Sequence, residues 1–163
     1  MALAQPIGLA LLMALTGSLA QAGARVGDLA PDFVLQDASG NHVSLKDFRG
    51  KPLVLHFWAS WCPYCKKVQP GLQAMADARA DRELTLLGIS FREDDGVEPQ
   101  TVLRRRGHQF KTLLMGEEVA EMYNVRGTPT TVFIDREGRI AGMTHSSDPE
   151  DSVLSRLADK ISQ

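Results

Sequence analysis

The chain has 163 residues, of which 44% are hydrophobic and 23% are charged, and its formal net charge is −2. This length suits one globular domain rather than two. Since the charge balance is slightly acidic, the composition gives no support for a nucleic-acid partner, and we expect none. The basic run Arg104-Arg105-Arg106 is interpreted as the solvated face of a helix.

The N-terminal segment, residues 1–22, differs from the rest of the chain because it contains no charged side chain. Residues 7–15 are almost continuously apolar, a run well short of the roughly 20 residues that span a bilayer. Leu19-Ala20-Gln21-Ala22 follows, with small residues spaced for signal peptidase. We interpret residues 1–22 as a secretory signal peptide, although Lys and Arg are missing from its start, and residues 23–163 as the mature domain. An uncleaved membrane anchor and a buried N-terminal helix are the alternatives.

Three segments before the cysteines are predicted to be strands. Residues 33–35 and 42–45 flank the turn-forming residues 37–41, which favours a short β-hairpin. Residues 53–58 form a longer apolar run rich in strand formers, which is typical of a strand buried on both faces of a sheet.

A helix is predicted to begin at Cys62-Pro63, because proline is favoured at the first helical position. Pro70 lies inside this helical pattern and should kink it. The apolar residues that would form the buried face of the helix are Val68, Leu72, Met75 and Ala76.

The remaining elements alternate between strand and helix and end in a hairpin and a helix. In chain order they are a buried strand at 84–91, helices at 98–106 and 117–123, strands at 130–135 and 139–144 that form an antiparallel hairpin, and a helix at 149–161. Ser147 or Asp148 could cap the last helix. This order predicts an α/β fold with a mixed central sheet covered on both sides.

The two cysteines of the chain, Cys62 and Cys65, are separated by two residues. Small disulfide-stapled domains have more cysteines, spread along the chain, and a bridge that closes so short a loop adds little stability. A structural zinc site needs further protein ligands, and the chain has no second C-x-x-C and only four scattered histidines. We therefore predict no metal site and interpret the pair as a working redox couple.

Thiol–disulfide exchange requires a thiolate that attacks and a second thiol that resolves the mixed disulfide. Cys62 would lie at the start of the helix, where unpaired N–H groups and the positive end of the helix dipole favour the thiolate. The pKa of a cysteine thiol, about 8.5 when free, falls to roughly 3.5–7 in such motifs. We assign Cys62 as the nucleophile and Cys65, one turn further on and more buried, as the resolving thiol.

Several segments resemble those of the thioredoxin superfamily. Residues 57–65, Phe-Trp-Ala-Ser-Trp-Cys-Pro-Tyr-Cys, are similar to its active site, Pro70 matches its helix-kinking proline, and Gly127-Thr128-Pro129-Thr130 resembles its cis-proline segment. Ala30-Pro31-Asp32-Phe33 and residues 47–52 narrow the resemblance to the TlpA/ResA/CcmG-like branch of periplasmic thiol–disulfide oxidoreductases. The resemblance implies a thioredoxin-like three-layer α/β/α sandwich with a mixed central sheet and an N-terminal β-hairpin extension.

The resemblance also implies roles for individual residues. Cys62 and Cys65 match the redox pair, and Pro129 matches the cis-proline, which lies beside the disulfide in family members. Backbone groups at that position hold the partner's chain in those proteins. The residues expected to contact the substrate are Trp61, Pro63, Tyr64 and Thr128.

Two further positions bear on proton transfer. His56 stands where thioredoxins have a buried aspartate that helps to deprotonate the resolving thiol. A histidine could serve the same purpose, and the alternative is a hydrogen-bonded core histidine. Glu93, followed by Asp94 and Asp95, resembles an acidic residue near the disulfide in ResA-like proteins, and we count it as a candidate catalytic residue.

The leading hypothesis is a reductant of protein disulfides in the periplasm, acting as a monomer without a cofactor and re-reduced by a membrane thiol carrier. The best-known substrate class of the branch is apocytochrome c, whose haem-attachment cysteines must be reduced. The alternatives are an oxidant of the disulfide-forming type, a copper-binding chaperone using Cys62, Cys65 and a histidine, and a peroxiredoxin-like peroxidase. Peroxiredoxins carry a threonine three residues before their peroxidatic cysteine, where this chain has Ala59.

Overall fold

Seven strands and four α-helices make up residues 23–163, which are the residues that the computed structural model describes. The predicted signal peptide, residues 1–22, lies outside them. None of the described helices has the length and apolar character that a membrane crossing requires. The strands are β1 (Val34–Gln36), β2 (His42–Ser44), β3 (Leu53–Trp58), β4 (Thr85–Ser90), β5 (Lys111–Leu113), β6 (Thr130–Ile134) and β7 (Ile140–Thr144). The helices are α1 (Pro63–Asp77), α2 (Pro99–Arg105), α3 (Glu117–Met122) and α4 (Ser152–Ile161).

A five-stranded sheet forms the centre of the fold, with the strand order β5-β4-β3-β6-β7. The pairs β3–β4 and β4–β5 are parallel, whereas β6 is antiparallel to both β3 and β7. Every residue of β3 is buried, because the strand lies in the middle of the sheet with both faces covered. The predicted bounds of β3 and the mixed sheet are both confirmed.

The two faces of the sheet form separate cores, since successive side chains of a strand point to opposite faces. Leu55 and Phe57 of β3 pack with residues of the N-terminal hairpin and of α3. Val54 and Trp58 pack on the other face, with residues of α1, α2 and α4. The result is the predicted three-layer α/β/α sandwich.

The N-terminal extension is a two-stranded sheet in which β1 and β2 pair antiparallel. Its turn is held by Asp37, whose carboxylate accepts the backbone N–H groups of Ser39 and Asn41 at 2.9 and 3.0 Å. The same carboxylate forms an ion pair of 2.9 Å with Lys111 Nζ on β5. These contacts dock the predicted hairpin on the edge of the central sheet.

The structure differs from the prediction at β5 and at α4. The sequence analysis missed β5, which has three residues and is defined by its pairing with β4. The predicted start of α4 is wrong, because the helix begins at Ser152, three residues later, and its N-cap is Asp151 instead of Ser147 or Asp148. Asp151 Oδ1 accepts the Val153 N–H at 2.9 Å, whereas the Asp148 carboxylate accepts an N–H within the preceding turn.

Candidate functional site

The helix start predicted at Cys62 is confirmed. A short loop leads from the end of β3 to Cys62, which is the N-cap residue of α1, with the exposed Pro63 at the first helical position. Cys62 Sγ accepts the Cys65 backbone N–H at 3.1 Å, so the sulfur satisfies one of the N–H groups that a helix leaves unpaired at its start. Cys62 and Cys65 are joined by a disulfide bond, and the pair is therefore seen in its oxidised state.

The two cysteines are buried, whereas the aromatic residues beside them in the chain are exposed. Cys62 retains 2% of its accessible surface and Cys65 retains none, so the expected order of burial is present but Cys62 is itself buried. Trp61 and Tyr64 are 53% and 62% exposed, and Trp61 Nε1 donates to Arg92 O at 2.7 Å. The aromatic side chains expected to contact substrate thus form open surface beside the cysteines in the chain.

The Thr128–Pro129 peptide bond is cis, and it lies directly before β6. Since Thr130, the first residue of β6, pairs with Phe57 near the end of β3, this loop and the cysteines lie at the same end of the sheet. Pro129 is buried and Thr128 is half-buried. The structure therefore brings the predicted proline loop to the edge of the sheet from which the chain continues to Cys62.

One residue that the sequence analysis did not single out supports this loop. Thr130 Oγ1 donates to Gly127 O at 2.7 Å, and His145 Nδ1 lies 2.9 Å from the same hydroxyl. A hydroxyl has one hydrogen to donate, so the His145 ring N–H is the donor in the second bond. His145 is exposed and lies just beyond β7, and only the pairing of β6 with β7 could have revealed its place beside Thr130.

Glu93 contacts the loop that precedes Cys62. Both of its carboxylate oxygens lie 3.0 Å from Ser60 N, and the Ser60 hydroxyl donates to the same carboxylate. Asp94 and Asp95 are exposed, so Glu93 is the acidic residue of this group that the structure brings to the site. The hydrogen bonds of its carboxylate go to Ser60, two residues before Cys62.

Arg106, the C-cap residue of α2, contacts the same loop. Its Nη2 donates to Ser60 O at 2.6 Å, and its Nη1 donates to Gln69 Oε1 at 3.1 Å. The guanidinium also lies over the Trp58 ring, 5.6 Å from its centroid. Burial lowers the pKa of Arg106, and the negative charge of Glu93 opposes this change.

The prediction of a solvated basic run is wrong for Arg106. Arg104 and Arg105 are exposed, whereas Arg106 is half-buried. The signal that could have placed Arg106 on the inner face is its spacing of three residues from Leu103, which is fully buried.

His56 is fully buried, and its Nδ1 lies 3.2 Å from Thr131 Oγ1. Its Nε2 has no hydrogen-bond partner among residues 23–163. Burial, and to a lesser extent the charge of His108, lowers the pKa of His56 to about 3. A base with so low a pKa is a poor proton acceptor at neutral pH. The burial and the low pKa both support the interpretation of His56 as a hydrogen-bonded core histidine.

Two further features of the described chain concern metal ligands and cavities. Within residues 23–163, no group of three or more His, Cys, Asp or Glu side chains is arranged to hold a metal ion. A cavity of about 630 Å³ lies at the start of β3, at the other end of this strand from the disulfide, and is lined in part by Pro31, Phe48 and Leu53. Its lining includes neither cysteine. The chemistry offered by the site residues themselves is disulfide exchange at a helix start.

Comparison with known proteins gives a consistent result. The model of the AhpC/TSA family matches residues 26–143. The chain is similar to the thioredoxin-like protein YneN of Bacillus subtilis (strain 168), with 32% identity over 127 residues that cover 77% of this chain and 74% of YneN. It is also similar to the thiol-disulfide oxidoreductase ResA of Bacillus thuringiensis subsp. konkukian (strain 97-27), with 28% identity over 116 residues. That match covers 71% of this chain and 66% of ResA, so the chain spans about two thirds of ResA's length.

The architecture is also shared with a solved structure. The thioredoxin domain of a thiol-disulfide oxidoreductase from Bacteroides vulgatus has 26% identity to this chain and a TM-score of 0.74. The match covers 86% of this chain and 100% of that domain. This likeness confirms the predicted thioredoxin-like fold.

Proposed function

Because this chain belongs to the AhpC/TSA family and is a thiol–disulfide oxidoreductase of its ResA-like branch, we propose that it reduces disulfide bonds in exported proteins. The observation that carries the proposal is the Cys62–Cys65 disulfide at the start of α1, where Cys62 Sγ accepts a helix N–H. This hydrogen bond and the positive end of the helix dipole favour the Cys62 thiolate once the pair is reduced.

The reaction begins with the reduced pair. The Cys62 thiolate attacks one sulfur of the substrate disulfide, which forms a mixed disulfide and expels the second substrate sulfur as a thiolate that takes up a proton. Cys65 then loses its proton, and its thiolate attacks Cys62 Sγ and releases the first substrate sulfur. Two electrons pass to the substrate, and the pair ends as a Cys62–Cys65 disulfide.

The surface beside the pair suits a protein substrate. Trp61 and Tyr64 offer exposed aromatic area, and the loop before β6 offers backbone groups next to the cis-proline Pro129. We expect Trp61, Pro63, Tyr64 and Thr128 to contact the substrate chain, while Pro129 shapes the loop that receives it. Apocytochrome c, with its pair of haem-attachment cysteines, is the substrate class that the ResA-like branch suggests.

The proposal includes export to the periplasm. Residues 1–22 would direct the chain across the membrane and be removed, and residues 23–163 would act as a monomer. A membrane thiol carrier would supply the two electrons that restore the dithiol, because the compartment outside the cytoplasm is oxidising. The mass of the protein recovered from the periplasm tests this: a chain that starts near Gly23 supports cleavage, and a chain that keeps residue 1 contradicts it.

Substituting the two cysteines singly tests the chemistry. Cys65→Ser should trap a mixed disulfide between Cys62 and the substrate, because no thiol remains to resolve it, and mass spectrometry of the trapped adduct identifies the substrate. Cys62→Ser should abolish the reduction of insulin while leaving the fold intact, as measured by circular dichroism. Residual insulin reduction by Cys62→Ser would contradict the assigned roles.

The redox potential decides the direction of electron flow. A reductant should have a potential near that of thioredoxin, about −270 mV, whereas a potential of about −120 mV would identify an oxidant. Stoichiometric copper retained by a protein that does not reduce insulin would favour a copper chaperone.

A peroxidase is the second candidate, because the matching family model is that of AhpC/TSA. The residue three positions before Cys62 is Ala59, whose carbonyl accepts the Cys62 N–H at 3.1 Å and whose side chain has no hydroxyl. We expect hydrogen peroxide to be consumed far more slowly than insulin is reduced, and the reverse order of rates would favour the peroxidase.

A further inference from the structure

Ser60, two residues before Cys62, is held by two opposite charges. Glu93 accepts the Ser60 N–H, with both carboxylate oxygens 3.0 Å from the nitrogen, and Arg106 Nη2 donates to the Ser60 carbonyl oxygen at 2.6 Å. Hydrogen bonds that involve a charged group are stronger than neutral ones. The loop that leads to the nucleophile is thus fixed through both its backbone donor and its backbone acceptor.

Arg106 also connects this loop to the elements on either side of it. Its Nη1 donates to Gln69 Oε1 in the second turn of α1 at 3.1 Å, and its guanidinium lies over the Trp58 ring at the end of β3. One side chain therefore joins the strand, the loop and the helix. The position of Cys62 Sγ depends on how these three segments are arranged.

The environment of Gln69 indicates that its contact with Arg106 matters to the fold. Gln69 is fully buried, and its Nε2 has no hydrogen-bond partner among residues 23–163. A buried amide group left unpaired is destabilising. Gln69 Oε1 accepts from Arg106 Nη1, so the loss of Arg106 would remove this partner from a buried amide.

We infer that Arg106 is a positioning residue of the redox centre, which together with Glu93 clamps the Ser60 peptide groups and balances the charge near Cys62. Without Arg106, the negative charge that Glu93 places two residues from Cys62 would be uncompensated and would disfavour the thiolate. Without Glu93, the guanidinium would favour the thiolate. The inference rests on the proposed role of Cys62 as the nucleophile and does not depend on which protein is the substrate.

Two substitutions with opposite expected effects test this clamp. In a Cys65→Ser background, which isolates the Cys62 thiol, Arg106→Gln should raise the Cys62 pKa and Glu93→Gln should lower it, as followed by thiolate absorbance against pH. The attack of Cys62 on a small aromatic disulfide at neutral pH should slow about threefold in Arg106→Gln, because the higher nucleophilicity of a more basic thiolate offsets only part of the lost thiolate fraction. Each variant removes one anchor of the same loop. If these contacts only held the loop in place, the Cys62 pKa would therefore move in the same direction in both variants.

Arg105→Gln is the matched control. It removes the same charge from the neighbouring, exposed position and should leave the Cys62 pKa and the exchange rate unchanged. Arg106→Lys keeps the charge but lacks the fork that reaches both Ser60 and Gln69, so the Cys62 pKa should stay closer to that of the wild type than in Arg106→Gln. If Arg106→Gln fails to fold, the Cys62 pKa values of Glu93→Gln and Arg106→Lys still test the clamp.

The outcomes separate this inference from the proposed function. Equal Cys62 pKa values in Arg106→Gln and Arg105→Gln, or pKa changes of the same sign in Arg106→Gln and Glu93→Gln, would overturn the clamp. If the opposite changes are found but the wild-type protein does not reduce insulin, the clamp stands and the proposed function fails. If insulin is reduced and the opposite changes are not found, the clamp fails and the proposed function stands.

Discussion

His56 is a buried titrating ring that couples the stability of this protein to pH. Its pKa is lowered to about 3, chiefly by burial and secondarily by the charge of His108, whereas an unperturbed histidine has a pKa of about 6.5. Between these two values the unfolded chain binds a proton at His56 that the folded chain does not bind. The folded state is therefore fully stable with respect to this group above about pH 6.5 and loses stability as the pH falls.

We predict that the free energy of unfolding falls as the pH drops below about 6.5, with His56 contributing a slope of up to ~1.4 kcal/mol per pH unit. Urea unfolding between about pH 5 and pH 7 measures this slope, and His56→Asn should reduce it because asparagine does not titrate. Phe110→Leu is the control, since it disturbs a ring whose centroid lies 6.4 Å from that of His56 and removes no titrating group. An unchanged slope in His56→Asn would show that another group is responsible.

At the scale of whole elements, α1 meets the segment that leads into α4 at Gly71. A Cβ atom at this position would collide with the backbone of Pro149, at its carbonyl oxygen and its Cα. Backbone atoms cannot move aside as the end of a flexible side chain can. Pro70, directly before Gly71, lies inside the helix as the sequence predicted. Gly71 is thus required by the close approach of two elements and not by helix propensity.

Gly71→Ala should destabilise the protein, although alanine is the better helix former by ~1 kcal/mol. We expect a net loss of roughly 1–3 kcal/mol in the free energy of unfolding, because α1 and the Pro149 segment must separate to admit the methyl group. Lys67→Ala, at an exposed position of the same helix, is the control and should change stability by less than about 0.5 kcal/mol. Denaturant unfolding of both variants provides the measurement, and a Gly71→Ala protein more stable than the wild type would disprove the contact.

At the scale of the whole molecule, side-chain contacts of Lys111 and Tyr123 are among those that tie the N-terminal segment to the sandwich. The Lys111 ammonium on β5 holds the pKa of Asp37, in the turn of the hairpin, well below its usual range. The Tyr123 hydroxyl, whose pKa is raised by burial, donates to Pro31 O at 2.8 Å. Both contacts join residues that are far apart in the chain. The N-terminal segment is therefore packed as part of the same domain.

Lys111→Met should lower the thermal unfolding midpoint by a few degrees at neutral pH. The stability that comes from a lowered carboxylate pKa is present above the pKa of an unfolded aspartate, about 3.9, and is lost as the pH falls toward the folded value. The difference between Lys111→Met and the wild type should therefore shrink below about pH 4. Lys46→Met removes an exposed ion pair with Asp32 and should have little effect. A difference that is equal at neutral and acidic pH would exclude the ion pair as its cause.

Much of the fold and the centre of the site could be predicted because their signals are local. The apolar run of β3, the proline that follows Cys62 and the spacing of the two cysteines each involve only a few neighbouring residues. The hairpin of β6 and β7 is formed by strands adjacent in the chain, so a turn between two apolar runs sufficed to predict it.

The contacts of the loop before Cys62 could not be predicted in the same way. Ser60 meets Glu93 and Arg106 across separations of 33 and 46 residues, and β5 exists through the pairing of Thr112 with Gly88 in β4. The spacing of Arg106 from the buried Leu103 indicates an inward position at the end of α2, but it does not indicate which distant residues the guanidinium reaches. The sequence by itself predicted the pair of cysteine sulfurs and the order of the elements other than β5. The tertiary structure decided which charges surround those atoms, because contacts between distant segments follow from packing and not from local propensity.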